Sequence, residues 1–224
     1  MSNTLTLKTI NELRDINFYI PSYQRGYRWS PKEVKDLLND VNEFRPKFID
    51  EDSDYKTWYC LQPIVVAKKG DGAFEVIDGQ QRLTTIFLIT KFLSSRFVEP
   101  EKTFSLSYET RENSSAFLND LKKREIVDTN IDFFHISKAY EAICDWFDNP
   151  NLNVNDFESK FKFQSKVIWY EGENQDPISV FTRINIGKIP LTNSELIKAL
   201  FLNSSNFDKR KSDRIRLKQL EIST

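Results

Sequence analysis

The sequence predicts an α+β fold: a small sheet with a central helix set directly after an Asp-Gly-Gln-Gln-Arg box, then a mostly helical extension. Three observations predict it. Two β-rich runs, residues 57–67 and 73–77, flank a glycine-bracketed aspartate at 70–72 and read as a hairpin. The second run passes straight into Asp78-Gly79-Gln80-Gln81-Arg82, after which Leu83, Ile86, Phe87, Thr90, Leu93 and Phe97 recur at helical spacing. Beyond Glu101 the apolar periodicity becomes predominantly helical.

Taken in chain order, Ser30-Pro31-Lys32-Glu33 is a helix start with a capping serine, proline at the first helical position and glutamate at the third. Val34, Leu37, Leu38, Val41 and Phe44 continue that helix until Arg45-Pro46 stops it. Pro63 marks a bulge or an edge position in the first hairpin strand, because proline has no ladder donor. Leu88, Ile89 and Phe92 widen the apolar stripe of the helix after the box, so it is expected to be buried on more than one side. Residues 131–147 predict an aromatic-rich helix with Phe133, Ser137, Tyr140, Cys144 and Phe147 on one face, and residues 161–170 predict a strand. Asp176-Pro177 opens a helix that ends near Asn185 and Gly187, and Thr192-Asn193-Ser194-Glu195 opens another through Phe201.

With 224 residues, a compact chain hides roughly 70% of its extended surface and needs no staples. Thirty-two basic against 33 acidic side chains give a net charge of −1, so the strongly basic balance of a DNA-coating protein is missing. Contact with nucleic acid would rest on local patches, Arg25 with Arg28 and the basic run 208–218. Such a run is usually a solvated helix face. Cys60 and Cys144 match no metal spacing and are expected to be reduced core thiols. The single histidine, His135, excludes mechanisms that need two, including the usual HNH nuclease site, and its Phe133-Phe134-His135-Ile136 setting suits a core position. No signal peptide and no apolar run near 18 residues is present, which predicts a cytoplasmic protein without membrane contact.

The strongest chemical signal is the strand-turn-helix at Asp78-Gly79-Gln80-Gln81-Arg82-Leu83-Thr84-Thr85. A helix N-terminus offers unpaired N–H groups and a positive dipole end, and Gly79 lets a ligand approach the backbone closely. Arg82 supplies a planar fork for phosphate oxygens, the glutamines donors and acceptors, and Asp78 a hard oxygen ligand for Mg²⁺. The set can cradle a polyphosphate. It can equally be structural, Asp78 capping the helix and Arg82 pairing with a core carboxylate. A second segment, Ile20-Pro21-Ser22-Tyr23-Gln24-Arg25-Gly26-Tyr27-Arg28-Trp29, interleaves arginines with aromatics and can stack a base and hold phosphates. A third, residues 181–191, can present Asn185 and Lys188 to the same ligand or simply join two helices.

Together these three segments resemble the N-terminal domain of GmrSD-type modification-dependent restriction endonucleases, a family related to the ParB/sulfiredoxin-like fold, over about residues 9–203. The resemblance implies a ParB-like nucleotide-binding core in residues 1–100, completed by the helical extension 101–224. It implies that the box binds and hydrolyses a nucleoside triphosphate, GTP or another, with Mg²⁺. Asp78, Gln80, Gln81 and Arg82 would be catalytic, with Asp78 the metal ligand. Tyr23, Gln24, Arg25, Gly79, Arg82, Thr84, Asn185 and Lys188 would bind nucleotide. Family members couple this to cleavage of modified DNA by a C-terminal HNH nuclease domain. No Asp-His-x-x-Pro box stands in these 224 residues, so that domain is expected to be absent and the nuclease to come from another part or subunit. The expected function is an NTP-hydrolysing sensor of a phage-defence system, with an oligomer left open. The rival is a non-catalytic DNA-recognition or protein-interaction module with a structural box.

Overall fold

The computed structural model describes residues 4–48, 56–99, 101–110, 113–122, 125–128 and 130–172. Six strands form one mixed sheet: β1 (Thr4–Thr9), β2 (Asn17–Ile20), β3 (Tyr59–Lys68), β4 (Phe74–Asp78), β5 (Ser105–Tyr108) and β6 (Ser165–Gly172). Their spatial order is β1-β6-β3-β4-β2-β5. Five helices are described: α1 (Pro31–Glu43), α2 (Gln80–Ser94), α3 (Ser114–Asn119), α4 (Ile131–Phe147) and α5 (Val154–Ser159). The fold is α+β, as the sequence predicts.

The hairpin is antiparallel β3–β4. β3 runs in the interior of the sheet, between β4 and parallel β6, so Pro63 marks a bulge rather than an edge. The register slips between Cys60 and Pro63, and Gln62 takes a left-handed φ of 67° there. α1 begins as expected, the Ser30 N–H donating to the Glu33 carboxylate at 2.7 Å, and buries Val34, Leu38 and Val41. α2 is buried nearly all round, from Leu83 through Ile89, and its side chains share one core with α1, α4 and Ile64, Val66 and Val76 of the sheet.

Two elements differ from the expected pattern. Residues 101–172 contribute two strands as well as three helices, so the sheet draws on both sides of residue 100. The strand expected from Phe161 starts at Ser165, because Lys160–Gln164 winds as one π-helical turn off α5. Packing decides this: Phe161 is buried and stacks on Phe157 at 5.8 Å, while Lys160 and Lys162 reach buried positions paired with Asp156, Glu101 and Glu158. The expected helices at 176–185 and 192–201, the 181–191 loop and the basic run 208–218 lie outside the described residues.

Candidate functional site

The turn between β4 and α2 builds the site. Gly79 has φ 94°, and a Cβ there would stand 3.0 Å from the Pro63 carbonyl oxygen, so strand and helix pack backbone to backbone. Among the described residues no side chain caps α2; Asp78 therefore does not serve as its cap. The N–H groups of that first turn have no intrahelical partners and carry the positive end of the helix dipole. Gly79→Ala combines a left-handed backbone cost of about 1–3 kcal/mol with this tight contact. Its melting temperature is expected to fall by roughly 2–12 °C, which thermal denaturation will read directly.

The second motif lies across this turn, held by the glutamines of both segments. Gln24 donates its amide to the carbonyls of Val76 and Ile77 in β4. Gln80 donates to the Arg25 carbonyl at 2.8 Å, and Gln81 donates to the Gly26 carbonyl at 2.9 Å while accepting from the Arg28 N–H at 2.8 Å. Tyr23 donates its hydroxyl to Glu75 at 2.8 Å. The loop is thus fastened to the box, and the Gln80 and Gln81 amides are engaged in the fastening. Arg25 stands exposed beside them, with no partner for its guanidinium among the described residues. Arg28 turns inward instead, pairing with Asp132 at the start of α4. Tyr27 is fully buried, its hydroxyl 2.9 Å from Thr85. The expected patch of two arginines and three aromatics therefore reduces to Arg25 and the half-buried Tyr23 and Trp29.

Arg82 is set by the β3 bulge. Its guanidinium donates to Gln62 Oε1 at 2.9 Å and to the Pro63 carbonyl at 2.6 Å, with the Asp78 carboxylate at 3.7 Å. Burial lowers its pKa and the Asp78 charge opposes that shift. Its Nε is buried without a hydrogen-bond partner among the described residues. The partner carboxylate is thus Asp78 itself, at the rim, not one in the core. Thr84 is fully buried; its hydroxyl donates to the Gln80 carbonyl at 2.8 Å and lies 2.6 Å from the Tyr108 hydroxyl. It supports Gln80 from within the core. Among the described residues no group of three His, Cys, Asp or Glu side chains converges to hold a metal by itself. Asn185 and Lys188 lie outside the described residues.

Beside Arg82 a cleft of about 230 Å³ opens between α1 and β3, lined by Trp29, Glu33, Asp36, Asp40, Gln62 and Ile86 among others. No local pattern in the sequence points to it, since its walls come from segments far apart in the chain. The same holds for Gln62 and Asp132, although Pro63 did announce the bulge that aims Gln62. Cys144 is buried and Cys60 half-buried, and neither forms a disulfide among the described residues. No described helix is long and apolar enough to cross a membrane.

Two motifs that stand more than 50 residues apart thus share one hydrogen-bonded turn. No curated protein matches the chain. The model of the GmrSD restriction endonuclease N-terminal domain matches residues 7–202. The chain belongs to this family of N-terminal domains, and so to the components of DNA restriction, or phage-defence, systems.

Proposed function

We propose that the chain is the nucleotide-responsive part of such a system, binding a nucleoside triphosphate at the α2 N-terminus and hydrolysing it to control a nuclease supplied elsewhere, acting on modified DNA in the cytoplasm. The observation that carries this reading is the uncapped first turn of α2, bordered by Arg82 and Asp78 and overlain by the loop that presents Arg25. The N–H groups of the turn with Arg82 and Arg25 would hold phosphate oxygens. Asn185 and Lys188 complete the proposed set.

One half-exposed carboxylate, Asp78, suits Mg²⁺ that arrives with a nucleotide, since Mg²⁺ is commonly held by one or two carboxylates together with substrate phosphates and water. When bound, the ion would neutralise phosphate charge. Asp78 would hold the ion and Arg82 the phosphate oxygens beside it. A water-orienting role falls better to Gln81 than to Gln80, which is only 3% exposed, and it requires the Gln81–loop bonds to open during turnover.

The occupied glutamine amides favour one second reading, a box that merely staples the loop in a non-catalytic recognition module. A thermal-shift screen of the four common nucleoside triphosphates with and without Mg²⁺ separates the two. A ligand at about 100 times its Kd stabilises by about 2.7 kcal/mol. For a chain of this size that raises the melting temperature by roughly 5–10 °C. At least one triphosphate should give this rise, larger with Mg²⁺, and phosphate release should follow. Flat melting for every nucleotide, with no turnover when DNA is added, refutes the proposal.

A further inference from the structure

We propose that Tyr27 and Thr85 are positioning residues for Arg25, setting where it stands over the α2 N-terminus through one buried hydroxyl–hydroxyl bond. This rests on the nucleotide-binding reading above and adds to it two side chains that touch no ligand. Three observations carry it.

The first is how the loop is fastened. The Gln24 amide bonds the β4 carbonyls of Val76 and Ile77, the Arg25 carbonyl accepts from Gln80, and the Gly26 carbonyl accepts from Gln81. Arg28 gives its N–H to Gln81 and its guanidinium to the Tyr27 carbonyl at 2.6 Å and to Asp132. Each residue from 24 to 28 is therefore tied through its backbone or side chain, and Arg25 is the one that stands exposed. A side chain carried on a fixed backbone gives up less freedom when it binds.

The second is where the Tyr27 hydroxyl goes. Tyr27 is fully buried, and its hydroxyl lies 2.9 Å from that of Thr85, one helical turn beyond Gln81. Thr85 gives its own proton to the Gln81 carbonyl at 3.0 Å, so Tyr27 is the donor of the pair. Burial pushes the Tyr27 phenol far above its usual range, against the pull of the Thr85 bond, and the proton stays in place. Gln81 and Thr85 share one face of α2 and together grip residues 26–28.

The third is that the bond contributes little to folding. Phenylalanine would fill the same volume with no hydroxyl to desolvate, and the desolvation cost of a buried hydroxyl is only about offset by its bond. A satisfied buried polar pair supplies a unique geometry instead, because a loop displaced along α2 would leave the Tyr27 hydroxyl unpaired. Thr84 repeats the arrangement, giving its proton to the Gln80 carbonyl at 2.8 Å and accepting from Tyr108 of β5 at 2.6 Å. The first turn of α2 is thereby located from the loop and from the sheet by the same device.

The test is calorimetric titration of the whole chain, with Mg²⁺, using ATP, GTP, CTP and UTP, on variants whose melting profiles show them folded. For each triphosphate that the wild type binds, Arg25→Ala should weaken affinity by about tenfold or more, as expected for losing a charge-assisted contact. Tyr27→Phe should weaken it by about three- to tenfold, and by nothing further in the Arg25→Ala background, since it acts only through that side chain. Tyr27→Phe with Thr85→Val replaces the bonded pair by an apolar one, so melting should stay close to wild type while affinity stays low. Four results overturn the positioning assignment while leaving binding at the box intact: undiminished affinity in Arg25→Ala, undiminished affinity in Tyr27→Phe, a Tyr27→Phe loss that persists without Arg25, or wild-type affinity in the apolar pair. Absence of binding by every triphosphate to the wild type overturns both readings.

Discussion

Arg28→Met is expected to cost about 3 kcal/mol of folding stability, the order found when one partner of a buried ion pair is removed. Asp132 is 2% exposed, and the Arg28 guanidinium is its ion-pair partner. Without that arginine the carboxylate stays in a low-dielectric site where desolvation is expensive. The loss should appear as a fall of roughly 6–12 °C in melting temperature. The position is tight as well as charged: a Cβ on Gly26 would fall on the Asp132 carboxylate, so the loop packs against α4 with no room to spare. Arg28→Met combined with Asp132→Leu removes both charges and should recover much of the loss. A melting temperature unchanged in Arg28→Met would show that the pair does not hold the loop.

The second large effect is on ligand affinity. Arg82→Ala should weaken nucleotide binding by roughly 10- to 150-fold, the equivalent of about 1.5–3 kcal/mol for a charge-assisted contact. From the sequence alone, a ligand-facing arginine is expected to matter little for folding. The structure changes that expectation, because the guanidinium also ties α2 to Gln62 and Pro63 of the β3 bulge. The variant should therefore lose about 1–3 kcal/mol of stability too, and binding must be measured well below its lowered melting temperature. Asp78→Asn is near-isosteric and more exposed, so it should spare both folding and binding while depressing turnover. Nucleotide affinity, turnover and melting measured side by side for the two variants separate the roles. Undiminished affinity in folded Arg82→Ala protein removes Arg82 from the phosphate site.

Much of this was legible in the sequence because it is local. The capping box before α1, the Gly-Asp-Gly hairpin turn, the strand-turn-helix at the box and the long apolar stripes of α2 and α4 each rest on residues within a few positions of one another. Gly79 was identifiable for the same reason: a left-handed residue between a strand and a helix leaves glycine as its usual occupant. Strands β1, β2 and β5 were not legible. They are four to six residues long, and their neighbours in the sheet come from elsewhere in the chain.

Side-chain roles at the site were decided by tertiary structure alone. The sequence showed that Gln80, Gln81, Arg25 and Arg28 carry suitable chemistry, but not which of them would be occupied within the protein. Folding brings the 21–29 loop onto the box, and burial then sets the outcome: a polar group withdrawn from water must find a partner, so both glutamines bond the loop backbone and Arg28 bonds Asp132. Arg25 is left exposed at the surface. The sequence by itself determined the longer elements and the family motifs, because propensity, capping and turn chemistry act over short stretches. The tertiary structure determined which polar groups are engaged within the protein and which stay at its surface, because burial and long-range pairing depend on the packing of the whole chain.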